Sequence, residues 1–227
     1  MSSRIGFLLF PGVTQLDMTG PAQVLHRMPG AKLDYVWHDL EPVMSDCDLA
    51  LKPNATFADG HAYDIICVPG GFGFAQAAVD PVVTDWLRGQ AEHARYMTSV
   101  CNGSLILGAA GLLRGYRAAC HWAWGHVLER FGATWVRERV VIDRNRITAG
   151  GVTSGIDFAF TIVAEMHGRD VEETIQLGIE YDPAPLGGGT PDKARPEVLA
   201  RYQRAAGGII AAREAEFLAM LEPQASA

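Results

Sequence analysis

The chain has 227 residues, 48% hydrophobic and 20% charged, with a formal net charge of −7. Such a composition excludes a disordered chain and suits one sizeable core better than two. The acidic balance argues against non-specific nucleic-acid binding and against anionic membrane surfaces, which both need an excess of Lys and Arg.

Residues 4–10, RIGFLLF, form a continuous apolar run ended by Pro11-Gly12, which reads as a buried strand of a parallel sheet. The run is too short to span a bilayer and no cleavage site follows it, so the expectation is a cytoplasmic chain without a signal peptide. TQLDMTGPAQVLHRM then carries helical spacing, and residues 33–40, LDYVWHDL, read as a second strand. Residues 41–62 are turn-rich and have room for a short hairpin. YDIICVPGG, 63–71, is a third buried strand closed by Pro69-Gly70-Gly71. In 80–95, Asp80 suits an N-cap and Pro81 the first helical position.

Strand-forming YMTSV leads directly to Cys101, and a helix follows to about Gly111. RAACHW reads as a short strand, and AWGHVLERFGA as a helix stopped by Gly132. WVRERVVIDRNRITAGG alternates and turns at residues 143–146, which predicts a hairpin. A long apolar helix starts at Thr153 or Ser154 and runs to Gly168, with another over RDVEETIQLGIEY. A Gly/Pro-rich loop at 182–196 precedes a last helix from about Glu197 to Leu221. Strands alternating with helices predict an α/β fold with a mostly parallel sheet between helices.

The four cysteines, Cys47, Cys67, Cys101 and Cys120, form no C-x-x-C and no zinc-ligand spacing, so free thiols and no metal site are expected. Cys101 stands at a strand carboxyl end, where open α/β sheets bind ligands. Helix N–H groups there favour a thiolate, and Gly103 lets the turn be sharp, the geometry of a nucleophile elbow. A packed core thiol is the equally weighted alternative from position alone. Gly70-Gly71 ends the neighbouring strand and could offer N–H groups to a ligand or oxyanion, or form a plain turn. Asp17, between Leu16 and Met18, suits either a buried proton shuttle or a helix cap. His121 could line the same edge, although a packing role suits it better. The glycine pair Gly150-Gly151 leads into a helix start, and Phe72 and Val152 are expected to make the pocket dry.

Taken together, GFLLFPGVTQLDMTGP, DIICVPGGFG, TSVCNGSLILGAAGLLRGYRA, HWAW and GGVTSGIDFAFTIVAE resemble the ThiJ/PfpI superfamily, in the family's order and up to about residue 181. The resemblance implies a flavodoxin-like sandwich, a homodimer, and one domain over 1–227 with a helical extension from about 195. Within the family the chain is most similar to the isocyanide hydratase branch. That similarity implies Cys101 as nucleophile, Asp17 as general acid/base, and Gly71, Phe72, Gly150 and Val152 at the pocket edges. The implied chemistry needs no cofactor and takes a small-molecule isocyanide. Asn102, counted with Cys101 and Asp17 in the implied catalytic set because Asn can still donate a hydrogen bond, occupies a position that is usually Thr in this branch and His in the intracellular proteases of the family. A single helix after the loop, in an acidic chain, does not fit the DNA-reading pair of related regulators. A glyoxalase or deglycase, which would give His121 a role, a cysteine-based redox-sensing or chaperone-like protein, and a ligand-binding module left from a regulator are the alternatives within the family.

Overall fold

The computed structural model describes residues 3–185 and 187–222, in two compact units, Met1–Ile179 and Glu180–Ala227. The first unit is built on a seven-stranded sheet. Strand β1 (Ser3–Leu8) is followed by α1 (Gln15–Leu25), β2 (Ala31–Trp37), the small hairpin β3 (Val43–Met44) and β4 (Ala50–Leu51), and β5 (Ala55–Thr56). Then come β6 (Ile65–Val68), α2 (Phe74–Val79), α3 (Pro81–Ala91), β7 (Tyr96–Val100) and α4 (Gly103–Ala109). Strands β8 (Arg117–Ala118) and β9 (Thr134–Trp135) flank a 3-10 segment over Gly125–Phe131. The hairpin β10 (Val140–Asp143) and β11 (Arg146–Ala149) leads into α5 (Ser154–His167) and α6 (Arg169–Gly178).

The sheet order is β10-β11-β7-β6-β1-β2-β5, and every pairing is parallel except β10 with β11. From β1 the chain first builds outward through β2 to β5. It then returns to the other side of β1 with β6 and β7. The carboxyl ends of β1 and β6 therefore flank a topological switch point, the place where open α/β sheets form ligand crevices. The apolar runs earn their central positions: Ile5, Phe7, Leu8, Ile65, Ile66 and Val68 are fully buried. Burying one such side chain contributes about 1.5–3 kcal/mol. Helix α1 packs on α5. A methyl added to Gly20 would lie 3.2 Å from Ile156, and one added to Gly155 would lie 3.1 Å from Pro21, so small residues set that close approach.

Two expectations change, and one short helix is added. The segment read as a helix up to Gly132 is a 3-10 helix, Gly125–Phe131, ended by Gly132 at φ 73°. Its i→i+3 bonds, such as Val127 N–H to Trp124 O at 3.0 Å, suit a span held short between Gly125 and that left-handed glycine. The strand read over 117–122 shrinks to Arg117–Ala118, which leaves Cys120 and His121 beyond its end. Helix α2, six residues long, follows Gly70-Gly71 and is too short to show a period in sequence. The second unit carries α7 (Pro196–Leu221), with Pro at the first helical position. Among the described residues no helix is long and apolar enough to cross a membrane.

Candidate active site

Three strand ends meet at the switch point. Asp17 follows β1, Gly70-Gly71 follows β6, and Cys101 follows β7. Cys101 has φ 60°, the left-handed region, which costs a residue with a side chain on the order of 1–3 kcal/mol. The strand is tied in place on both sides of the turn: Cys101 N–H donates to Ala149 O at 3.1 Å and to Gly150 O at 2.7 Å. Gly150 N–H in turn donates to Arg139 O at 3.0 Å. Gly150 thus holds the nucleophile's backbone, while Val152, half-buried, accepts from Gly155 N–H at 3.3 Å as α5 begins.

Asp17 is buried, with only 1% of its surface exposed, on the first turn of α1. It does not cap that helix. Its Oδ2 instead accepts the Gly70 N–H at 2.9 Å, and its Oδ1 is buried without a hydrogen-bond partner. Burial pushes the carboxyl up to about 7, and the Asp46 charge adds to the rise. The Gly70 N–H, and after it the nearby Cys101 thiol, work against that rise.

Cys101 is also buried, and its thiol lies well above its ordinary value. Burial is the largest cause, followed by the Asp17 charge and then Cys120. The Asn102 N–H opposes them, which is the contribution expected from the helix start, but it is outweighed. The thiolate-stabilising effect expected of the helix start is present but outweighed: desolvation and the neighbouring Asp17 charge dominate, and the titrations of the thiol and the carboxyl are linked.

Gly71 is not a free donor. Its N–H donates to Asn102 Oδ1 at 2.8 Å, and Asn102 Nδ2 donates to Gly71 O at 3.4 Å. The expected oxyanion role for that N–H is spent on this amide–peptide pair. Gly71 sits at φ 138° and bridges to Val13, and an added Cβ there would collide with the backbone of Gly12 and Thr14. A Cβ on Gly70 would lie 2.9 Å from both Asp17 Oδ2 and Asn102 N. Glycine at both positions is thus a requirement of the site. Phe72, expected to help seal a dry pocket, is instead 47% exposed.

His121 is largely buried, which lowers it further below neutral pH and leaves it uncharged. Its Nδ1 accepts the Ala123 N–H at 3.2 Å, so its proton belongs on Nε2, and its ring stacks on Trp122. The ring borders Gly151, where an added Cβ would lie 3.4 Å from it. The segment is held by a buried polar chain: Ser99 Oγ to Ser104 Oγ at 2.8 Å, Ser104 Oγ to Ala119 O at 2.6 Å, and Ala119 N–H to Thr148 Oγ1 at 2.8 Å. Cys120, for which the sequence offers no neighbour, is a buried thiol whose charge would act on Cys101. No sequence period could reveal that approach, because β8 ends at Ala118 and a loop delivers the residue. All four cysteines are free, and among the described residues no group of three or more His, Cys, Asp or Glu could hold a metal ion.

Comparison with known proteins adds to this geometry. The model of the DJ-1/PfpI family matches residues 3–165. Isonitrile hydratase of Pseudomonas putida is 51% identical over 200 residues, covering 88% of each chain. The HTH-type transcriptional regulator GbdR of Pseudomonas aeruginosa is 32% identical over 187 residues, covering 78% of this chain and 50% of the regulator. The crystal structure of a ThiJ/PfpI family protein from Pseudomonas syringae superposes with a TM-score of 0.91 at 39% identity, covering 96% of this chain and 91% of that one.

Proposed function

The chain belongs to the DJ-1/PfpI family, and on that premise we propose that it is an isocyanide hydratase, converting R–N≡C to an N-substituted formamide. The observation that carries this reading is the buried Asp17–Cys101 pair, in a chain 51% identical to an isonitrile hydratase. An isocyanide carbon accepts a nucleophile and a proton at the same atom. A thiol and a carboxyl sharing one proton supply both. The Cys101 sulfur bonds to the terminal carbon while its proton, relayed through Asp17, reaches that carbon, giving R–N=CH–S–Cys101. Water then adds to the carbon with Asp17 taking its proton and passing it to the nitrogen, which gives R–NH–CH(OH)–S–Cys101 and leaves the hydroxyl proton for the last step. The C–S bond breaks, releasing R–NH–CHO and returning the proton to the pair.

The Asp17 carboxyl, raised to about 7, matches this double duty, since one group must both give and take a proton at working pH. Addition to R–N≡C develops no oxyanion on the substrate, so the engaged Gly71 N–H is no loss to the first step. Neutral His121 carries its Nε2 proton at the border of Gly151 and is assigned to shaping the pocket with Gly150, Val152 and Phe72. The resemblance supports a homodimer and a single domain with a helical extension, and four free thiols support a cytoplasmic location. Purified protein incubated with an alkyl isocyanide tests the assignment, with formamide followed by mass spectrometry. Formamide at a rate abolished by Cys101→Ala supports it. No turnover, together with robust lactate from methylglyoxal, overturns it in favour of a glyoxalase.

A further inference from the structure

We propose that Asn102 is the positioning residue for the acid: its side-chain amide clamps the Gly71 peptide and so holds the Gly70 N–H on Asp17 Oδ2. The inference rests on the hydratase reading for its catalytic meaning and deepens it. Asn102 stands at the N-cap of α4, where Asn ordinarily turns its oxygen onto the N–H groups of its own first helical turn. Here its side chain makes no such bond. Its Oδ1 accepts from Gly71 N–H at 2.8 Å and its Nδ2 donates to Gly71 O at 3.4 Å. The residue is buried, with 3% of its surface exposed. The helix cap is forgone to fix the backbone at the end of another strand.

That peptide is the one next to the acid. Gly70 N–H donates to Asp17 Oδ2 at 2.9 Å, while Gly70 O accepts from Thr14 N–H at 2.9 Å. Gly70 and Gly71 carry no side chains to hold their own orientation. The Val13 bridge fixes Gly71 from one side, and Asn102 fixes it from the other. The residue after the nucleophile therefore reaches across to the strand end that feeds the acid, and couples the elbow to Asp17 through two peptides. The charged and titratable groups that act on Asp17 are Cys101 from the β7 turn and Asp46 from the β3–β4 hairpin, with Cys120 acting in turn on Cys101. Asn102 adds no charge to this set, so its effect is one of geometry.

The Gly70 N–H favours the ionised carboxyl, so loosening it makes Asp17 hold its proton to higher pH. The rate of Cys101 alkylation by iodoacetamide, measured from pH 5 to 9.5, reports the coupled pair without any isocyanide. For Asn102→Ala the acidic limb is expected to move upward by up to about one pH unit, the size of a lost hydrogen bond to a charged group. Asn102→Thr, which keeps one hydrogen-bonding oxygen beside Gly71, should move it less. Should the alanine variant not fold, Asn102→Val, which keeps the bulk of Thr without its hydrogen-bonding oxygen, is measured in its place, with the same expectation. An unmoved limb, or one displaced downward, in a variant that unfolds at the wild-type temperature overturns the proposal and leaves Asn102 a packing residue. Because the readout is alkylation, failure of the hydratase reading shows separately, as missing formamide with the limb still displaced.

Discussion

Replacing Asp17 by Asn is expected to stabilise the protein while stopping turnover. The carboxyl is 1% exposed and its folded-state value rises from 3.8 to about 7, chiefly through burial. In the unfolded chain the group ionises near its ordinary value. The folded protein therefore binds the extra proton between those limits, and its stability falls as pH rises from about 4 to about 7. About three units at 1.36 kcal/mol each corresponds to about 4 kcal/mol when the process is complete. Asn is nearly isosteric and still offers an oxygen to the Gly70 N–H, so the variant escapes most of this penalty. A gain on the order of 2–4 kcal/mol above pH 7.5 would raise Tm by ~5–15 °C for a chain of this size. Thermal unfolding of both proteins by circular dichroism, from pH 4.5 to 8.5, provides the assay. The two Tm curves should converge near pH 4.5 and separate steadily up to about pH 7.5. Parallel curves, or a less stable Asn variant at pH 8, would refute the claim that Asp17 is a desolvated acid.

Cys101→Ala should lower formamide formation by at least ~1,000-fold without loss of fold, as judged by steady-state rates and circular dichroism. Cys101→Gly should raise the urea midpoint, by a stability gain on the order of 1 kcal/mol offset only by the lost thiol packing, because glycine adopts the φ of 60° without strain. Gly71→Ala should cost more than about 2 kcal/mol in the same denaturation experiment, since its Cβ meets the backbone of Gly12 and Thr14 at a φ of 138°. His121→Gln should lower kcat/KM for an isocyanide by less than about tenfold, since a buried neutral imidazole is not the proton carrier; a loss above 1,000-fold would give His121 a part in the chemistry.

The elements at the switch point were legible because their signals are local. RIGFLLF, IICVP and YMTSV are apolar runs ended by glycine, proline or a cap residue, and they became β1, β6 and β7 with Asp17, Gly70-Gly71 and Cys101 beyond their ends. What the three groups do to one another was not legible, because it depends on side chains arriving from distant segments. The thiol's rise comes from burial and from Asp17, 84 positions away in the chain, and a strand-to-helix turn read alone suggests the opposite sign. The sequence offers Gly71 as a donor for a ligand, yet Asn102 takes its N–H. Cys120 gave no signal, since it lies in a loop past a two-residue strand and its approach to Cys101 is purely tertiary.

The central claim is that one buried thiol, sharing its proton with Asp17, bonds to an isocyanide carbon. Rapid mixing of the protein with an alkyl isocyanide, acid quench and peptide mass mapping tests it most directly. The peptide containing Cys101 should gain the full mass of the isocyanide, as addition of S–H across the carbon requires, and the adduct should decay as formamide appears. An adduct confined to Cys47, Cys67 or Cys120, or formamide produced at the wild-type rate by Cys101→Ala, would contradict it.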